Sequence, residues 1–159
     1  MATLNPPPLQ IPQSLSSDKE TAGFFGALLR TIYQIWTEVF NLRFKAKTTT
    51  TDATVTALQR VDIDTNKSVY IEARVVARRT GGSAGAAGDT AFYVIQGCFK
   101  NISGVVSLVA STITNGGEDQ AAWDIGFSIV GTQAVLVGTG AANNNITWES
   151  TVSFYEVGA

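Results

Sequence analysis

Two periods of hydrophobicity divide this chain. From about Asp18 to Phe44 the apolar residues Phe25, Leu28, Ile32, Ile35, Val39 and Leu42 recur at spacings of 3, 4, 3, 4 and 3. That is an a/d seam of about two and a half heptads, the pattern of a helix that packs against other helices. Phe24, Leu29, Trp36 and Phe40 widen the seam beyond what one small domain is expected to cover. Ser17, Asp18, Lys19 and Glu20 fit a capping box at its start, with acidic side chains at the positive end of the helix dipole. The spacing predicts one long helix over residues 18–47 that sets an oligomer through Phe25, Leu28, Ile32, Ile35, Val39 and Leu42.

From Asp52 onward the period is two. Val69, Ile71, Ala73, Val75 and Ala77 alternate with Tyr70, Glu72, Arg74, Val76 and Arg78. The runs 123–130 and 148–155 alternate in the same way, and less regular runs lie near 53–63, 90–100, 104–113 and 133–139. Turn-rich segments separate them: Thr65 to Lys67, Thr80 to Asp89, Thr114 to Gln120, and Gly140 to Asn145. About seven strands without helical interruption predict an antiparallel β-sandwich or jelly-roll-like domain over residues 48–159. The Gly/Ala-rich segment after Arg79 and the segment 140–145 are expected to be the mobile tips.

All four prolines lie in residues 1–17, which are therefore expected to form an extended, polyproline-like arm. Leu4, Leu9, Ile11 and Leu15 recur through it beside Pro6, Pro7, Pro8 and Pro12. Stiff chain with spaced apolar side chains reads as a docking peptide, with Leu4, Pro6, Pro7, Pro8, Leu9, Ile11 and Leu15 as its contacts. A plain tail is the competing reading.

Composition narrows the chemistry. Hydrophobic residues make up 45% and charged residues 15% of 159, so Ser, Thr, Asn, Gln and Gly cover much of the surface. A net charge of −2 gives no broad footprint for nucleic acid or an anionic membrane. No basic and apolar leader opens the chain, and no run approaches the about 18 apolar residues of a membrane span. Synthesis and folding in a cytoplasm are expected. Zero histidines and one cysteine remove the commonest general base, any intrachain disulfide and a structural zinc site. Cys98, in an apolar run, is expected as a buried thiol.

No catalytic residue, metal ligand or cofactor site stands out. Asp62-Ile63-Asp64-Thr65-Asn66 begins like a calcium loop, but Lys67 and Ala73 stand where Gly and Glu belong. An Asx-stabilised turn is the plainer reading. Glu118, Asp119 and Asp124 could hold an ion or solvate a loop. Trp36, Trp123 and Trp148 fall on apolar faces, where core packing competes with sugar stacking.

The residues Val75-Val76-Ala77-Arg78-Arg79-Thr80-Gly81, Ala91-Phe92-Tyr93, Glu118-Asp119-Gln120-Ala121-Ala122-Trp123-Asp124 and Ile146-Thr147-Trp148 carry a resemblance. Over residues 50–159 the chain resembles small virion structural proteins and fibre domains of tailed bacteriophages. A Pro-rich arm leading into a helix also resembles the attachment end of a virion fibre. The resemblance implies a homotrimer, which Ile at both an a and a d position also favours. It implies a non-enzymatic, virion-located neck or tail fibre that meets other virion proteins through its arm. A trimeric capsid decoration (cement) protein is the alternative within that class. A carbohydrate-binding or polysaccharide-degrading tail module, meeting a host surface glycan, is the alternative from another class.

Overall fold

The computed structural model describes residues 26–32 and 44–158. It divides into two compact units, Met1–Leu42 and Arg43–Ala159. In the first, residues 26–32 are helical, and both Leu28 and Ile32 are exposed. Phe25, Ile35, Val39 and Leu42, and all of the expected docking arm, lie outside the described residues. So do the full length of the expected helix and Trp36.

The second unit is all β. Its strands are β1 (Phe44–Thr50), β2 (Thr56–Asp62), β3 (Lys67–Gly82), β4 (Thr90–Ile102), β5 (Val105–Glu118), β6 (Asp124–Val130), β7 (Gln133–Thr139) and β8 (Asn144–Gly158). Every pairing is antiparallel. Five strands form one sheet in the order β1-β8-β3-β4-β5, and three form another in the order β2-β7-β6. The expected boundary at residue 48 is corrected. Phe44, Lys45, Ala46 and Lys47 belong to β1, whose backbone pairs with Val152 to Glu149 of β8.

Alternation puts one side of each strand into a shared core. On β3, Val69, Ile71, Ala73, Val75 and Ala77 are buried, and their register partners on β4 include Phe99, Tyr93 and Ala91, buried as well. Leu58 and Val61 of β2, Ile125 of β6 and Leu136 of β7 join the same cluster from the smaller sheet. Each fully buried Val, Leu or Ile contributes about 1.5–3 kcal/mol. Trp123 and Trp148 are each 1% exposed, with ring centroids 6.1 Å apart at 56°. The Trp148 indole donates to Thr50 Oγ1 at 2.9 Å, tying β8 to the edge strand β1.

Three readings of the sequence change here. Cys98 is half-buried, not buried. Its neighbours Gly97 and Phe99 face the core instead, because the Phe127 ring occupies the space over Gly97: a Cβ there would lie 2.9 Å from that ring. The segment Thr114 to Glu118, read as part of a turn, is the end of β5: Asn115 to Glu118 pair with Val94 to Ala91, and Thr114 is the extra residue at a register shift. The expected mobile tips are tied to each other. Arg79 donates from Nε to the Ala84 carbonyl at 2.7 Å and from Nη2 to the Gly82 carbonyl at 2.6 Å. Ala84 N donates to the Asn143 carbonyl, and Gly82, at φ +93°, packs so closely that a Cβ would lie 2.2 Å from that same oxygen.

Candidate functional site

At one end of the large sheet, β4 and β5 meet the start of β6 around a depression of about 440 Å³. Its wall is built from Tyr93 of β4, Ile113, Gly116, Gly117 and Glu118 of β5, Ala121 and Trp123 of the following turn, and Asp124 of β6. The two glycines are there for steric reasons. A Cβ on Gly116 would lie 3.1 Å from Tyr93 Cδ1, and one on Gly117 would lie 3.0 Å from Phe92 Cε1. The pair therefore lets one aromatic ring lie against each side of β5.

Local hydrogen bonds hold the rim in shape. The Tyr93 hydroxyl donates to the Glu118 carboxylate, and the Trp123 carbonyl lies 3.3 Å from the same oxygen. Asp119 accepts from Thr90 N at 2.9 Å and returns a bond from its own N to the Thr90 carbonyl, which fixes the turn after β5. Asp89 accepts from Ala86 N and from Gln120 Nε2, each at 2.7 Å, joining the β3–β4 loop to this turn. Trp123 N donates to the Gln120 carbonyl at 3.0 Å, while its indole Nε1, buried, has no hydrogen-bond partner among the described residues. Asp124 Oδ1 accepts from Ile125 N at 2.7 Å.

The wall holds two carboxylates, Glu118 and Asp124, and no Lys or Arg. Exposed carboxylates beside a glycine shelf are suited to hydroxyl-rich ligands, because carboxylates accept from hydroxyls, while the Tyr93 and Trp123 rings, 5% and 1% exposed, back the depression from the core. Burial, and then the bond to Glu118, hold the Tyr93 hydroxyl protonated well above its usual 10.0. A phenol whose folded pKa is raised contributes stability that is complete below the unfolded value and is lost as pH climbs through the folded one. Alkaline titration followed by tyrosinate absorbance should show Tyr93 ionising last, together with loss of the fold. Tyr93→Phe should remove that late step.

Of the acidic residues singled out in the sequence, the fold brings Glu118 and Asp124 into one depression and turns Asp119 to a structural bond. The calcium-like turn is occupied by its own contacts. Asp64 pairs with Lys67 at 2.9 Å, Asp62 accepts from Gln133 Nε2 at 2.8 Å, and Asn66 Oδ1 accepts from Ser103 N at 3.2 Å. Among the described residues no three of His, Cys, Asp and Glu group together. Nothing in the local sequence marks Tyr93, Gly116 or Gly117 as site residues, because the β4–β5 pairing brings them together. No helix among the described residues is long and apolar enough to cross a membrane.

No protein-family model matches the chain, and no curated protein matches it. Solved structures similar to it include three phage tailspikes. The tailspike protein of Acinetobacter baumannii phage AM24 is 9% identical with a TM-score of 0.48, over 74% of this chain and 27% of that one. The tailspike protein gp49 of Acinetobacter baumannii bacteriophage Fri1, a capsular polysaccharide depolymerase, is 10% identical with a TM-score of 0.36, over 68% and 17%. The tailspike protein of Acinetobacter phage vB_ApiP_P1 is 16% identical with a TM-score of 0.34, over 72% and 21%. The chain thus spans about a quarter or less of the length of these structures. All three are phage tail proteins in general, and none is a neck fibre or a capsid decoration protein. Against the expectation of a chain without enzymatic activity stands the Fri1 protein, which is itself a capsular polysaccharide depolymerase.

Proposed function

We propose that this chain is a module of a bacteriophage tail that holds a host-surface polysaccharide in the depression of Tyr93, Glu118, Trp123 and Asp124. The observation that carries this reading is the composition of that wall: two exposed carboxylates beside a glycine shelf, backed by a buried phenol and indole, with no cation in the lining. The bacteriophage resemblance of residues 50–159 supports the setting. In this reading the two sheets form an antiparallel sandwich of jelly-roll type, the virion is the site of action, and copies trimerise. The arm residues Leu4, Leu9, Ile11 and Leu15 dock on another virion protein.

A second reading, polysaccharide cleavage, is favoured by the carboxylates alone. Glycoside hydrolysis uses two carboxyl groups that flank the scissile bond, one as acid and one as base or nucleophile. Glu118 and Asp124 share one wall and are the pair to test.

The experiment is a binding panel of purified surface polysaccharides against the full chain, with reducing ends measured in the same samples. Saturable binding supports the module. New reducing ends that depend on Glu118 and Asp124 support cleavage. No binding across polysaccharides from hosts that the phage infects contradicts both.

A further inference from the structure

The depression and its rim hold acid groups that no cation balances. Glu118 and Asp124 line it, and both are exposed. Asp119 follows Glu118 in the turn, and Asp89 is bonded to that turn through Gln120. Each of these carboxylates takes its hydrogen bonds from neutral donors. Glu118 accepts from the Tyr93 hydroxyl, Asp124 from Ile125 N, Asp119 from Thr90 N, and Asp89 from Ala86 N and Gln120 Nε2. Among the described residues the ion pairs lie elsewhere, on Lys47, Lys67 and Arg74. Neither arginine at the end of β3 is in the wall. Arg79 is bonded to the carbonyls of Ala84 and Gly82, and Arg78 Nη2 lies beside Gly88 of the β3–β4 loop.

This imbalance is local. Over the whole chain 11 Lys and Arg nearly match 13 Asp and Glu, so net charge alone repels an anionic polymer only weakly. Any strong discrimination by charge therefore arises at the depression itself.

We infer that the depression selects by charge and takes polysaccharides whose bound sugars carry no carboxylate, sulfate or phosphate. This inference rests on the reading of the depression as a polysaccharide site and names the class of polymer. A neutral sugar offers hydroxyls, which donate to Glu118 and Asp124 without setting like charges together. An acidic sugar brings an anion against two carboxylates, with no guanidinium or ammonium in the wall to receive it. A sugar with a free amino group passes the same filter, because its ammonium is attracted. Salt screens such repulsion only in part at physiological strength, where the Debye length is about 8 Å, and largely at about 1 M, where it is about 3 Å.

The test starts from the host-surface polysaccharide that the full chain binds most tightly in a panel of neutral and acidic polymers. A tightest binder with uronic acid, sulfate or phosphate in its repeat overturns the inference and leaves the polysaccharide reading standing. No binding to any polymer removes both. A neutral binder is then oxidised at part of its primary hydroxyls to carboxylates, and both forms are titrated by calorimetry. The oxidised form should bind at least tenfold more weakly at about 0.15 M salt, and about 1 M salt should recover at least threefold of that loss. Asp124→Asn should narrow the ratio between the two forms at least threefold, whatever it does to each affinity. A loss smaller than tenfold overturns the inference. So does a loss that salt does not relieve, which is discrimination by shape, and so does a ratio that Asp124→Asn leaves unchanged.

Discussion

Trp148→Ala is expected to cost about 3–5 kcal/mol of folding free energy, the range for truncating a fully buried aromatic side chain. Three losses coincide. The indole is 1% exposed, it packs on Trp123 at 6.1 Å, and its Nε1 is the donor to Thr50 Oγ1 in a buried bond. Removing it opens a cavity between β8 and Trp123 and leaves Thr50 without its donor at the edge strand. Against a typical domain stability of about 5–15 kcal/mol, that is a large fraction. Trp148→Phe should be milder. It keeps most of the apolar volume and loses chiefly the hydrogen bond, an effect of about 1–3 kcal/mol where the partner stays buried. Denaturant unfolding of the three proteins checks the order. A loss below about 1 kcal/mol for Trp148→Ala would mean that the two indoles do not share one core.

Glu118→Gln should weaken polysaccharide binding at least tenfold, about 1.4 kcal/mol, with folding nearly unchanged. Glu118 stands at the end of β5, is exposed, and accepts the Tyr93 hydroxyl. The amide keeps the shape and one acceptor oxygen but removes the charge that makes its hydrogen bonds to ligand hydroxyls strong. Tyr93→Phe should also weaken binding, because Glu118 then loses the donor that orients it. The two variants act through one contact, so the double variant should be hardly worse than Glu118→Gln alone. Titration calorimetry with a polysaccharide that the parent chain binds gives all three values. Additive losses would show that Tyr93 and Glu118 meet the ligand separately.

The strands were legible where one face is buried throughout. On β3 strict alternation marks the core side from Val69 to Ala77, and the structure follows it residue by residue. β1 was not legible. Phe44 to Thr50 shows no alternation, and its strand state comes from pairing with β8, a contact about a hundred residues distant in sequence. The end of β5 was misread for a related reason. Gly116 and Gly117 are turn residues by local propensity, but here they are the space that Tyr93 and Phe92 require. An apolar run around Cys98 does not tell which of Gly97 and Cys98 takes the core side; Phe127, thirty residues on, fills the room above Gly97.

The depression could not be read from the chain. The acidic residues Glu118 and Asp124 stood out, but Tyr93 enters from another strand, and only the β4–β5 register places its hydroxyl on Glu118. The Arg79 contacts show the same limit. A Gly/Ala-rich segment promises a free tip, and one guanidinium bonded to two of its carbonyls ties it down.

The most direct test of the account is to locate a bound glycan on the folded chain. In a heteronuclear NMR titration with a polysaccharide that binds, the Trp123 indole N–H and the Gly116 and Gly117 amides should shift together and saturate at one affinity. The Trp148 indole, bonded to Thr50 in the core, should move little. Shifts confined to the outer face around Tyr70 and Tyr155, with the Trp123 indole unmoved, would contradict the assignment of the depression as the polysaccharide site.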